Sequence, residues 1–111
     1  MSTATQGRRR EYQVRDHLIA HGWPHIMRAS SSKGAADLLH ASWGQGPLLI
    51  QVGGAAKTLS PAERRRLCRA SEHCHALPIL AQVIATPGKP TRIAYWHVTR
   101  DVPSTWTEWT P

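Results

Sequence analysis

The stretch from Asp37 to Val52, DLLHASWGQGPLLIQV, limits what this chain can fold into more than any other. It reads as two short apolar strands joined by a tight Trp43-Gly44-Gln45-Gly46 turn, the expected form of a hairpin whose faces are mostly buried. Asp37 opens the first strand and Gln51 lies in the second. A carboxylate beside buried strands is strongly disfavoured unless it reaches solvent or sits against a cation. Asp37 is therefore a candidate metal ligand from its setting alone. The other reading is a strand-start Asp that caps a turn after Ser30-Ser31-Ser32.

With 111 residues there is room for one core, so a single domain over 1–111 is expected. Residues 1–6 are small and polar and read as a flexible tail, and 101–111 as a second tail carrying Trp106 and Trp109. No apolar run approaches the ~18–20 residues of a membrane span, and MSTATQGRRR lacks the apolar stretch of a signal peptide. A soluble, cytoplasmic protein with no membrane partner is the expectation. Cys68 and Cys74 fall six apart in one expected helix and point to different faces, which argues against a bridge. His73-Cys74-His75 does not make a zinc site, because adjacent residues cannot all face one ion and no second pair stands at ligand spacing.

Lys and Arg number 14 against 7 Asp and Glu, a net charge of +7. An excess of that size on a small domain favours polyanions, nucleic acid first. Three of the basic residues are lysines, Lys33, Lys57 and Lys89, and the rest are arginines, whose guanidinium forks match phosphate oxygens two at a time. Arg8, Arg9, Arg10, Arg28, Arg64 and Arg65 are the candidates for DNA contact, with Ser30, Ser31 and Lys33 in a small-residue loop that a DNA backbone could approach closely. A solvated basic face is the plainer reading.

Along the chain, a helix is expected from Gly7 to about His21, with Val14, Leu18 and His21 lining its inner face. Glu11 lies one turn before Val14 on that same face, among Arg8, Arg9, Arg10 and Arg15. It is a candidate ligand, or else an ordinary first-turn Glu paired to an arginine. Strands follow at 25–28, in the central hairpin, at 78–85 and at 91–98, and Gly53 to Thr58 reads as a small-residue loop. Ser60-Pro61-Ala62-Glu63 is a strong helix start with a capping box, and that helix runs to about Cys74 with Leu67, Ala70 and Cys74 inward and Arg64, Arg65, Arg66 and Arg69 outward. The natural architecture for this order is α/β, a mixed sheet with helices on its faces. The C-terminal tryptophans are expected to pack rather than to stack on bases.

This layout resembles the PD-(D/E)XK nucleases, and within them the archaeal-type Holliday junction resolvases that phages also carry. The resemblance runs from about Gly7 to Thr99. It rests on Gly7 and Glu11, on Arg28 and the Ser-rich loop before Asp37, on Leu48-Leu49-Ile50-Gln51-Val52, and on helix 60–74 followed by Leu77-Pro78-Ile79-Leu80-Ala81. It implies a restriction-endonuclease-like fold and a homodimeric endonuclease cutting four-way DNA junctions with Mg2+, or with Mn2+. By position, Asp37 is the central ligand, Glu11 an auxiliary one and Gln51 stands where a second acid belongs, while Ser32 falls where the family has a functional serine.

Two departures stand out. Gln51 brings an amide oxygen but no charge, which weakens metal binding. The lysine expected two positions later is Gly53, and one missing electrostatic contact of that kind costs about 10²–10³ in rate. Lys57, in the loop after the strand, is the favoured replacement. Lys33 is the other, and a branched-DNA-binding protein that has lost hydrolysis is the alternative. In that last case, a lysine restored at 53 is expected to restore cutting.

Overall fold

A computed structural model describes residues 3–29, 36–40 and 46–111. The expected turn residues Trp43, Gly44 and Gln45, and the loop candidates Ser30, Ser31, Ser32 and Lys33, lie outside the described residues. The elements in order are α1 (Thr3–Ala20), β1 (Ile26–Arg28), β2 (Leu38–His40), β3 (Leu48–Gly54), α2 (Pro61–Cys74), β4 (Leu77–Ile84), β5 (Arg92–His97), a 3-10 turn (Pro103–Thr105) and β6 (Thr107–Glu108). The six strands form one sheet in sequence order. Only β3 and β4 run parallel, and α2 makes the crossover that a parallel pair requires.

Alternation along the central strands divides the interior in two. Leu48 and Ile50 of β3 and Ile79, Ala81 and Val83 of β4 pack with Val14 and Leu18 of α1. Leu49 and Leu80 face the other way, onto Leu67 and Cys68 of α2 together with Leu59. One helix thus covers each face of a mixed sheet, as the element order predicts, and β3 and β4 show the near-continuous apolar run of strands buried on both sides.

Both helix ends follow from sequence. Gly22, at φ 89, turns the chain out of α1, with the Trp23 N–H bonded to Leu18 O at 3.0 Å and the Gly22 N–H to Ile19 O at 3.3 Å. This pair of bonds closes a Schellman motif around a glycine that alone tolerates the angle cheaply. At α2, Ser60 accepts from the Glu63 N–H while the Glu63 carboxylate accepts from the Ser60 N–H, which completes the capping box.

Several expectations need correction. α1 begins at Thr3 rather than Gly7, so residues 3–6 are helical. His21 is exposed at the helix cap, where Nδ1 bonds His17 O, instead of lining the core. In α2 the buried residues are Arg64, Leu67, Cys68 and Ser71, and Cys74 is exposed. β3 extends through Gly53 and Gly54, so these two residues belong to the strand and not to the loop. The C-terminal tryptophans do pack on the domain, one on each face. Trp106 joins the α2 side, while Trp109 meets Tyr95 and Trp23 with ring centroids 5.5 and 5.3 Å away. No helix among the described residues is long and apolar enough to cross a membrane.

Candidate functional site

Asp37 sits where the β2–β3 pairing becomes irregular. Leu38 is already opposite Ile50, yet the Asp37 N–H also bonds Ile50 O, at 2.8 Å, so two successive residues face one. Such a bulge turns a side chain out of its regular direction. Here the Asp37 carboxylate comes round to accept the Val52 N–H on Oδ2 at 2.8 Å, taking the place of a backbone acceptor in the ladder. Gln51, half-buried, lies between the two β3 residues that bond Asp37. The bulge therefore sets Asp37 against the segment of β3 that carries Gln51.

Burial is the main force on Asp37 and holds its carboxyl above the usual carboxylate range, against the Val52 hydrogen bond. Glu11 also pushes it up, whereas Lys57 and Arg28 draw it down. Three charges that the sequence singles out, on α1, β1 and the loop after β3, thus act on Asp37. Glu11 is itself paired, for Arg28 Nε donates to its Oε1 at 2.6 Å. Arg28, assigned to DNA from sequence, holds an acid instead while remaining exposed on the edge strand. Among the described residues there is no group of three or more His, Cys, Asp and Glu able to hold a metal, so Glu11 and Asp37 would need Gln51 as a third donor.

Gly53 has a physical explanation. It is buried, and the face of β3 that carries Leu49 carries Gln51 and Gly53 as well. A Cβ built on Gly53 would fall on the Cβ and Cγ of Lys57 and 2.9 Å from its Cδ. The Lys57 stem therefore occupies the space from which a residue-53 side chain would start. The loop is tight enough to deliver it, because the Lys57 N–H bonds Gly54 O at 3.0 Å. Lys57 Nζ lies 3.4 Å from Glu63 Oε2, both side chains about one-third exposed, so the pair is weak and readily exchanged. Sequence alone assigns Glu63 to the capping box, but one carboxylate serves both.

The next residue, Gly54, faces the other side of the sheet. A Cβ there would lie 3.0 Å from Arg10 Nη2, so the guanidinium rests against bare backbone. Beside it a cleft of about 400 Å³ is lined by Arg9, Arg10, Gln6, Gln13, Ala55 and Thr91, among others. Arg8, Arg9 and Arg65 are exposed, as DNA contacts would require. Arg64 is not. It is buried, with Nη1 donating to Leu59 O at 2.9 Å and Nε to Arg100 O at 3.4 Å, which corrects its assignment to phosphate. Heptad-like spacing places Arg64 three before Leu67 on the inner stripe, a signal outweighed in sequence by the run of arginines around it.

One residue that sequence reasoning misses is Gln82. It interrupts the apolar run PILAQVIA and stands opposite Gly53 in the parallel register. Its Nε2 donates to Lys57 O at 2.8 Å and its Oε1 accepts from Trp96 Nε1 at 3.0 Å. A lone polar residue inside an otherwise buried strand was the available signal.

No known family profile matches this sequence, and no curated protein does either. Solved structures do match. A Holliday junction resolvase from Archaeoglobus fulgidus, an archaeal hyperthermophile, superimposes with a TM-score of 0.61 at 21% identity over 79% of this chain and 70% of that one. At that identity the likeness establishes the architecture, and the mixed sheet described above is the fold of that resolvase.

Proposed function

We propose that this chain is a structure-selective endonuclease that resolves four-way DNA junctions by metal-dependent phosphodiester hydrolysis, acting as a homodimer. The observation that carries the chemistry is the Lys57 stem lying in the side-chain space of Gly53, which returns an amine to the neighbourhood of Asp37. The fold shared with a junction resolvase supports the choice of substrate, and the +7 charge supports a polyanion.

Glu11, Asp37 and Gln51 offer two carboxylates and an amide oxygen, the hard donors Mg2+ or Mn2+ takes while keeping positions for water and phosphate. The donor set fits, because Asp37 is desolvated beside a second acid and a cation relieves both costs. When bound, the ion neutralises charge on the scissile phosphate and makes a water acidic enough to yield hydroxide.

The protein's own groups do the remainder. The Val52 N–H fixes the Asp37 carboxylate, and Arg28 fixes Glu11, so neither acid must be ordered during the reaction. The Lys57 ammonium leaves its weak partner Glu63 and donates to the phosphate oxygens as charge grows on them. Exposed arginines hold the flanking backbone. Two opposed strands must be cut at one junction, and a two-fold pair of protomers presents two equivalent sites.

The test is cleavage of a labelled four-way junction in Mg2+ or Mn2+, beside a Lys57→Met variant whose junction binding is measured separately. Paired nicks by the native chain, and a loss of about 10²–10³ in rate with binding retained in the variant, are expected. Tight junction binding without product at high protein would leave a branched-DNA-binding module. Equal affinity for linear duplex would remove the junction reading as well.

A further inference from the structure

Lysine has four rotatable side-chain bonds, so a lysine supplied from a loop must be held by something other than its own stem. We infer that Gln82, itself oriented by Trp96, is a positioning residue that sets Lys57 over Gly53; the inference rests on Lys57 being the amine of the site.

The orientation of Gln82 follows from chemistry. The Trp96 indole N–H can only donate, so the oxygen of the Gln82 amide must face it and the NH2 must face Lys57 O. Both contacts are of ordinary hydrogen-bond length, 3.0 and 2.8 Å. Trp96 is in turn packed into the α2-side core, so the relay starts from a fixed ring. With the Lys57 N–H on Gly54 O, the backbone of Lys57 is tied on both sides, to β3 and to β4. Gln82 stands in register with Gly53, so the tie is made level with the space the lysine stem must enter.

A packing role alone would be met by an apolar residue, as at the neighbouring positions of β4. The half-buried amide has a cost in such a strand unless both its ends are satisfied, which they are by one fixed ring and one functional loop. Gln82 uses both ends of its amide on Lys57 O and Trp96 Nε1. It acts through Lys57.

Three lysines make a direct readout simple. In protein carrying 13C-labelled lysine, the Lys57 ε-methylene signal, assigned through Lys57→Met, is expected to stand apart from that of Lys89 in the native chain. It should collapse toward the exposed-lysine position in Gln82→Met and move part of the way in Trp96→Phe, which keeps a ring but loses the donor. A Lys57 signal unmoved by Gln82→Met overturns the inference. In junction cleavage, Gln82→Met should slow turnover at saturating junction by about 10–100-fold without weakening binding, and should add nothing in the Lys57→Met background. An equal further loss in that background would mean a general structural effect and would also overturn it. If the native chain does not cut at all, the nuclease reading falls, and the lysine spectrum alone then decides whether Gln82 holds Lys57.

Discussion

Gly53 and Gly54 are adjacent in β3 and face opposite sides of the sheet, and what lies over each is different in kind. Over Gly54 rests the far end of a flexible arginine, Arg10, which can withdraw by a few tenths of an ångström. Over Gly53 lies the aliphatic stem of Lys57, tied through its backbone to two strands and unable to withdraw without leaving the site. On the α1 face the Arg10 guanidinium lies at the margin of an apolar cluster and tolerates adjustment there. The α2 face near the site is built from polar groups that each depend on another: Lys57 on Gln82, Gln82 on Trp96, and Arg64 on two carbonyls.

The largest expected effect attacks that dependence. Gly53→Lys places a lysine where the motif would have one, but its Cβ collides with Lys57 and must expel it. The single variant is therefore expected to cut more slowly than the native chain, by about 10²–10³ if neither amine settles. The exchange Gly53→Lys with Lys57→Gly should recover most of the rate. A single Gly53→Lys variant that cuts faster than the native chain would show that Lys57 is not the amine. Gly54→Ala is the control on the other face, with little change expected.

Next in size is the buried arginine. Arg64→Met keeps volume but leaves Leu59 O and Arg100 O without their donor, at a cost of about 1–3 kcal/mol in unfolding free energy. Arg65→Ala, one residue on and exposed, should cost almost nothing. Denaturant midpoints of the two variants decide it, and equal midpoints would contradict the packing described for α2.

What could be read from sequence divides along the same line. The element order, the capping box of α2 and the Gly22 stop are local, and periodicity or turn chemistry reports them directly. Asp37 and Glu11 stand out in sequence because acids beside apolar runs are conspicuous, whereas Gln51 is singled out only by its place in the resemblance. Lys57 could be named as one of few lysines, but its entry into the space of Gly53 depends on a loop closing over two parallel strands, which no spacing encodes. Arg64 was misplaced because a run of arginines looks the same whether one member is buried or none. Gln82 escaped because its partners, Lys57 and Trp96, are 25 and 14 residues away.

Asp37 offers a smaller effect of opposite sign. Its carboxyl is held above its ordinary value chiefly by burial, so the ionised form is disfavoured in the fold relative to the unfolded chain. The cost is absent below the unfolded pKa, where both states are protonated, and complete above the folded one. Asp37→Asn can still accept the Val52 N–H but loses the charge, and should therefore abolish cutting while raising the thermal midpoint at neutral pH. The gain should shrink as pH falls through the carboxylate range. A midpoint that drops at neutral pH would mean the carboxylate contributes to stability instead.

The smallest effect asks whether DNA uses both faces. Arg9, beside the cleft on the α1 side, and Arg65, near the start of α2, are both exposed, on helices that cover opposite faces of the sheet. Removing one arginine that neutralises a phosphate should reduce the slope of log affinity against log salt by about 1. A junction backbone straddling the sheet predicts equal reductions in Arg9→Ala and Arg65→Ala, additive in the double variant because the two sit on helices covering opposite faces of the sheet. A reduction in Arg9→Ala alone would confine the strand to the cleft beside Arg10 and Gly54. Lys57 would then reach the scissile phosphate from the opposite face, across the end of β3, and the bulge at Asp37 would be the point around which the strand passes.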